Sequence, residues 1–265
     1  MYIYLFFSVL VLLLILYMHF ETRMLKVEKY KLNNKKNNIK IAQLSDIHIG
    51  SMFVSFKKIK DVLTKQDPDI VILSGDYIEN EKQIPKFLNL LTSLPDKPTY
   101  ACFGNHDHKA FLKDNAGLTM FAEEIEKKGV IMLRNKSAVL TVKGQTINIV
   151  GIEDIRYKKD NTKKAFSGVD LTKTTIAFSH NPDIVFSLGS NKPDLLLTGH
   201  FHGGQIWSPF HLEFKLLRNE KLSKMKIYKG FNSVNNIDIY ISRGLGNVVF
   251  PLRFLSRPEI AIFEF

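Results

Sequence analysis

Cysteine is almost missing from this chain: Cys102 is the only one in 265 residues, so no disulfide can form within it. Stability must come from the core, which 45% hydrophobic residues can supply. Cys102 itself lies in an apolar, strand-like run and reads as a small core residue. No Pro-, Gly- or Ser-rich linker interrupts the chain after residue 40, and there is no repeat at a fixed period and no long low-complexity run, which argues for one large domain. Charge is lacking from residues 1–18, where Leu, Ile, Val, Phe and Tyr dominate over about the length a helix needs to cross a bilayer. No basic region precedes that run, and His19-Phe20-Glu21-Thr22 offers no small-residue cleavage site. The segment therefore reads as a retained transmembrane anchor and not as a cleaved signal peptide.

The stretch just past the anchor is basic. Arg23, Lys26, Lys29, Lys31, Lys35, Lys36 and Lys40 face only Glu21 and Glu28, which by the positive-inside tendency puts the body of the protein on the cytoplasmic face of the membrane. The cluster also suits anionic head groups, and its Asn-rich centre reads as a solvated tether. The expected plan is an anchor over residues 1–19, a basic tether over 20–38 and a catalytic domain over 39–265. The formal net charge of +11 fits a membrane surface, an anionic substrate or nucleic acid equally well, so it does not discriminate.

From residue 38 onward one pattern recurs: a short apolar run with strand character ends in a polar cluster. Residues 38–44 lead into Asp46-Ile47-His48; residues 69–73 lead into Ser74-Gly75-Asp76; residues 98–103 lead into Gly104-Asn105-His106-Asp107. Farther on, residues 174–178 lead into Ser179-His180, and residues 193–197 into Thr198-Gly199-His200-Phe201-His202-Gly203-Gly204. Amphipathic helices are expected over 56–65, 85–94 and 118–128, with further strands over 130–133, 138–150, 237–241 and 258–265. Any one block has a plain structural explanation, a turn Asp or a surface His pair. Five of the eight histidines, however, stand just past a strand beside Asp, Asn or Gly.

Together with Asp46, Asp76 and Asn105, those histidines supply mixed N and O ligands for two divalent ions sharing one carboxylate, a set suited to Mn, Fe or Zn. Asp76 has two oxygens and can bridge. His106 with Asp107 next to it resembles an acid whose imidazole is oriented by a carboxylate. Two ions a few ångströms apart can clamp a phosphoryl group, polarise it and turn water into hydroxide near neutral pH.

The five ordered blocks, over about residues 40–205, resemble the calcineurin-like metallophosphoesterases. The resemblance implies a four-layer α/β/β/α sandwich of two mixed β-sheets flanked by helices. It implies that Asp46, His48, Asp76 and His202 hold one metal, that Asp76 bridges to a second held by Asn105, His180 and His200, and that His106 acts as acid with Asp107 behind it. The anchor, Gly203-Gly204-Gln205 and the stretches around Arg243 and Arg253 are similar to the bacterial membrane-associated branch that includes UDP-2,3-diacylglucosamine pyrophosphatases of lipid A synthesis. From that similarity the expected substrate is a lipid-linked or nucleotide-sugar phosphoester or pyrophosphate.

Arg243 and Arg253 are further candidates for phosphate contacts, because a guanidinium matches phosphate geometry. The aromatic and lysine-rich stretch 207–229, with Phe210, Phe214, Leu216 and Leu217 beside Lys215, Arg218 and Lys221, has the composition of a lipid-facing surface. Two other functions compete: a nuclease or cyclic-nucleotide phosphodiesterase, and a non-enzymatic envelope-binding protein stabilised by metal. No nucleic-acid module is recognisable and an anchor suits a nuclease poorly; His106 and Asp107 have no task in a purely structural site. No protein partner is implied.

Overall fold

The computed structural model describes residues 2–32, 38–207, 214 and 218–265. It begins with helix α1 (Tyr2–Glu21), whose apolar side chains point outward along nearly its whole length. With a mean hydropathy of 2.4 it is long and apolar enough to cross a membrane.

Twelve strands form two six-stranded sheets among the described residues. The first contains β1 (Lys26–Lys31), β2 (Lys40–Leu44), β3 (Ile70–Ser74), β4 (Thr99–Cys102), β5 (Val130–Met132) and the final strand β12 (Glu259–Glu264), in the order β1-β12-β2-β3-β4-β5. All its pairings are parallel except that of β12 with β2. The second contains β6 (Lys136–Val142), β7 (Gln145–Gly151), β8 (Thr174–Phe178), β9 (Leu195–Thr198), β10 (Gly230–Val234) and β11 (Ile237–Ile241), in the order β10-β11-β9-β8-β7-β6. Its two outer hairpins are antiparallel and its centre is parallel.

Side-chain alternation along these strands builds the layers. Ile41, Ile70, Ile72, Tyr100 and Cys102 of the first sheet meet Ile147, Ile149, Ile176, Phe178, Leu195 and Leu197 of the second in a core between the sheets. Their chain neighbours Ala42, Leu44, Val71, Leu73 and Ala101 face outward, under Ile59 and Leu63 of α2 (Phe56–Gln66), Phe87, Leu90 and Leu91 of α3 (Ile84–Ser93) and Phe121 and Ile125 of α5 (Asn115–Glu126). On the opposite side Ala177, Leu196, Ile239 and Ile241 pack against Ile184, Val185, Phe214, Leu222 and Tyr228. This is the expected four-layer sandwich. Local chemistry sets the helix ends: the Ser55 hydroxyl caps α2 by accepting from Lys58 N at 3.3 Å, and Pro85 occupies the first turn of α3.

Two expectations fail. The basic stretch after the anchor is not a free tether, because Lys26–Lys31 forms β1, in parallel register with β12. Lysine on an edge strand guards it against pairing with another chain, and that charge hid the strand in the sequence. The aromatic stretch after Trp207 does not present Phe214 to lipid. Phe214 is buried, its ring 3.8 Å from that of Tyr228, while the Lys229 ammonium lies 3.6 Å over Trp207. Phe210, Lys215, Leu216 and Leu217 lie outside the described residues.

Candidate metal centre

The parallel strands deliver their polar loops to one edge of the sandwich. There the loops interlock through the backbone: Asp46 N donates to Gly75 O at 3.0 Å, His48 N to Asp76 O at 2.9 Å and Gly199 N to His180 O at 2.9 Å. Gln43 Nε2 bridges the sheets, donating to Thr198 O at 2.9 Å and Ser74 Oγ at 2.8 Å. Space is tight enough to require glycine at two points. A Cβ on Gly104 would stand 2.2 Å from Asp76 Oδ1, and one on Gly199 would stand 2.1 Å from Asp46 Oδ2.

Asp46, His48, Asp76, His200 and His202 all adopt left-handed backbone, with φ of 47°, 37°, 57°, 73° and 52°. Side-chain-bearing residues hold such angles at a cost of about 1–3 kcal/mol each, so the interlocked loops must impose them. The strain lets alternate residues of a tight turn aim side chains inward together.

Three groups of side chains result among the described residues: His48 with Glu79 and His106 at the rim, and two that hold the expected ligands. Asp46, His48 and His202 bring ligand atoms within 4.8 Å of one another, and Asp76, His180 and His200 do the same. Asp76 joins them: its Oδ2 is 2.9 Å from His180 Nε2 and 3.6 Å from His48 Nε2. On three of the four histidines the ring nitrogen that faces away from the centre is occupied. His180 Nδ1 donates to Ser74 O at 3.0 Å, His48 Nδ1 to Glu79 Oε1 at 2.6 Å and His200 Nε2 to Glu220 Oε1 at 3.0 Å. Such partners fix the tautomer and turn the other nitrogen's lone pair inward. His48 Nε2, His202 Nδ1 and Asn105 Oδ1 are buried without any hydrogen-bond partner, an arrangement that costs energy unless something else binds them. With two carboxylates, four imidazoles and one amide oxygen, the residues fit a dinuclear divalent metal site.

Electrostatics without ions support that fit. Burial disfavours charge on Asp76, yet His180, His106 and His48 outweigh it and hold its carboxyl well below the usual range. Burial would also lower His180, but Asp76 and Asp46 raise it to about 10: the buried carboxylates demand a positive charge there, which a divalent ion would supply in place of that proton. Burial pulls His200 down to about 3 and His202 well below its ordinary value. Both are therefore neutral, the form that coordinates metal.

His106 stands at the rim, beside the centre, with Nδ1 2.6 Å from Glu79 Oε2 and its backbone N donating to Asp76 Oδ1 at 2.7 Å. Burial opposes its charge, but Glu79 and Asp76 raise its pKa. Asp107 is not the carboxylate behind His106, contrary to expectation. It is the third residue of the short helix α4 (Asn105–Ala110), and it accepts from the backbone N–H of Gly104, Asp76, Tyr77 and Ile78 at 2.8–3.1 Å. It locks two ligand loops together; burial and the charge of Asp76 push it up to about 7. Glu79, which the sequence pattern did not single out, takes the orienting role instead. Burial raises it, but its bonds to His106 and His48 bring it down to about 2. A carboxylate three residues past Asp76 was the only signal available.

The two candidate phosphate arginines are corrected as well. Arg253 is fully buried, its guanidinium donating to the carbonyls of Ser256 at 2.7 Å, Arg243 at 3.0 Å and Gly246 at 2.5 Å, so it has no donor directed at a substrate. Arg243 pairs with Glu28 at 2.8 Å and also with Glu259, tying β1 to β12. Arg218 stands on the outer side of His200, donating to its carbonyl at 3.3 Å and lying 3.9 Å from Glu220. His108, a bystander to the metals, is buried against Glu153 at 2.6 Å.

A two-sheet sandwich with a carboxylate shared between two histidine groups at its strand ends has the makings of a two-metal hydrolase. Residues 39–204 match the calcineurin-like phosphoesterase family, and the chain belongs to it: it is a metallophosphoesterase, a hydrolase of phosphoester bonds. Its relatives include an uncharacterized metallophosphoesterase, YkoQ, of Bacillus subtilis, 31% identical over 92% of each chain. The phosphodiesterase YaeI of Escherichia coli is 30% identical over 94% of this chain and 91% of its own. The UDP-2,3-diacylglucosamine pyrophosphatase LpxG of Chlamydia trachomatis is 27% identical over 93% of this chain and 91% of its own.

Proposed function

We propose that this protein hydrolyses a phosphodiester or pyrophosphate bond in a membrane-linked, amphiphilic substrate at the cytoplasmic face, with UDP-2,3-diacylglucosamine the leading candidate. Asp46, His48, Asp76 and His202 would hold one divalent ion, and Asp76, Asn105, His180 and His200 the other; Mn, Fe and Zn all accept these ligands. Bound there, the pair supplies Lewis acidity and lowers the pKa of water. The chain's own groups do the rest. Glu79 keeps the His106 Nδ1–H donated inward, which leaves Nε2 to carry and release a proton to the leaving oxygen.

The observation that carries this reading is the placing of Asp76 Oδ2 between His180 Nε2 and His48 Nε2, at 2.9 and 3.6 Å. The names of the Escherichia coli and Chlamydia relatives support diester and pyrophosphate chemistry respectively. Helix α1 as a single-pass anchor, with Arg23, Lys26, Lys29 and Lys31 just past its end, supports a membrane-linked substrate and the inward orientation. Asp76→Asn and His200→Ala should each abolish most manganese-stimulated hydrolysis of bis-p-nitrophenyl phosphate while the chain stays folded by circular dichroism. Wild-type rates in both variants would refute the assignment.

A further inference from the structure

Three large apolar side chains on one loop near the C-terminus face solvent: Val249 is 89% exposed, Phe250 61% and Leu255 58%. The loop is not loose. Gln205 clamps it, accepting from Val248 N at 2.8 Å and donating to the carbonyls of Val248 at 3.1 Å and Phe250 at 2.8 Å, and the buried Arg253 pins its far side. Val249 and Leu255 have φ of 60° and 54°, angles a branched side chain avoids, so the fold spends strain to turn these two outward.

The loop's position says what they face. Arg253 N donates to Met18 O at 3.0 Å, His19 Nδ1 bonds Pro251 O at 3.0 Å, and the Glu21 carboxylate accepts from Leu255 N at 3.2 Å and Ser256 N at 3.0 Å. The ring of Phe254 sits edge-on to Tyr17, 6.4 Å away. Every one of these partners is in the last turn and a half of α1. If α1 spans a bilayer, the loop lies at the depth where the helix leaves it, and its apolar tips continue the apolar surface of α1, where Phe20 is 59% exposed. Cations mark the same level: Arg23 lies 5.1 Å over the Phe53 ring, and Lys58 donates to Arg23 O at 3.2 Å. Apolar side chains flanked by arginine and lysine suit an anionic lipid interface.

Behind the loop lies a cavity of about 460 Å³ whose lining includes Phe53, Val249 and Phe250 together with Glu79, His106 and Lys109. The same cavity is thus shared by the apolar loop and by His106 at the rim of the metal centre.

We propose that the 248–255 loop is a bilayer-docking edge: Val249, Phe250 and Leu255 enter the head-group boundary beside α1, and the cavity behind them admits a phosphorylated amphiphile from the lipid surface to His106. This rests on the reading of α1 as a membrane anchor. It moves the lipid-facing surface from the aromatic stretch after Trp207, part of which is buried, to the loop that walls the cavity.

The sole native cysteine is fully buried, so a cysteine placed on the surface can be labelled alone in the full chain. Phe250→Cys carries an environment-sensitive fluorophore, in vesicles of phosphatidylethanolamine and phosphatidylglycerol. Val139→Cys, on β6 at the outer edge of the second sheet and 70% exposed, serves as reference. The label at 250 should emit to the blue of that at 139 and be quenched several-fold more by a lipid-borne quencher. Equal quenching at both positions overturns the docking edge. A label at 250 shielded from an aqueous quencher yet untouched by the lipid-borne one also overturns it and assigns the loop to a protein contact. Alkaline carbonate extraction separates the two layers of inference: release of the chain refutes the anchor and the docking edge together, whereas a retained chain with an aqueous label refutes only the latter.

Discussion

The carboxylate of Glu79 lies 2.6 Å from the Nδ1 of His106, and both groups open onto the same cavity. Its other oxygen is equally close to His48 Nδ1, so one side chain sets the tautomer of an imidazole inside the centre and of another at its rim.

Glu79→Gln should therefore impair two functions at once. Partners in this position typically contribute about 10–100-fold in metal affinity or activity. We expect kcat to fall within that range and one of the two metals to be retained less tightly, seen as a stoichiometry below two after dialysis. A merely structural Glu79 would leave metal content unchanged and alter only thermal stability.

Gly199→Ala tests the close approach of loops. The added Cβ would sit 2.1 Å from Asp46 Oδ2, and Asp46 also accepts from His200 N at 3.0 Å. Displacing that carboxylate by an ångström should lower activity by about a hundredfold. The core is untouched, so circular dichroism should be native while the rise in Tm on adding manganese shrinks. Full activity in this variant would mean that the loops can part without consequence.

A third expectation concerns acid stability. Glu153 is buried between His108 and Arg134; burial raises its pKa, but the bonds to both partners bring it below its usual value of 4.5. A lowered carboxylate stabilises the fold fully above the ordinary glutamate range, and that contribution disappears as pH falls through the depressed value. Glu153→Gln, which keeps an acceptor but removes the charge facing His108 and the 33% exposed Arg134, should cost about 1–3 kcal/mol near pH 7. Urea unfolding of the two proteins should converge as pH drops below the glutamate range. A constant difference down to the acid limit would contradict the pairing.

The five ligand blocks were legible because each comes just after a short, mainly apolar run, continuous or alternating, and a buried strand must end where its loop emerges. The bounds of β8 and β11 coincide with such runs, at residues 174–178 and 237–241. The residues that escaped are defined by contact across loops. Glu79 matters because the turn after β3 lies beside the start of α4, and nothing in its own neighbours announces that. Arg253 looked like a phosphate ligand since charge in sequence suggests solvent, whereas three carbonyls converge on it inside a closed turn. Phe214 read as interfacial because an aromatic amid lysines has the same composition whether it faces lipid or the underside of a sheet.

The buried Glu21 is the last residue of α1, and its carboxylate grips the two backbone amides of Leu255 and Ser256. Lys26 N then bonds Pro258 O at 2.8 Å, and β1 is zipped to β12 from there on. Helix α1 and the catalytic body are thus joined stiffly, by a bracket and not a leash. An enzyme on a leash samples a hemisphere of heights and angles; if α1 spans a bilayer as proposed, this one would patrol a single plane, with its opening held at constant altitude. Selection would then begin before any chemical recognition, because a phosphate would be met only if its carrier lifts it to that altitude. Lengthening the joint by a few residues would trade this built-in ruler for reach.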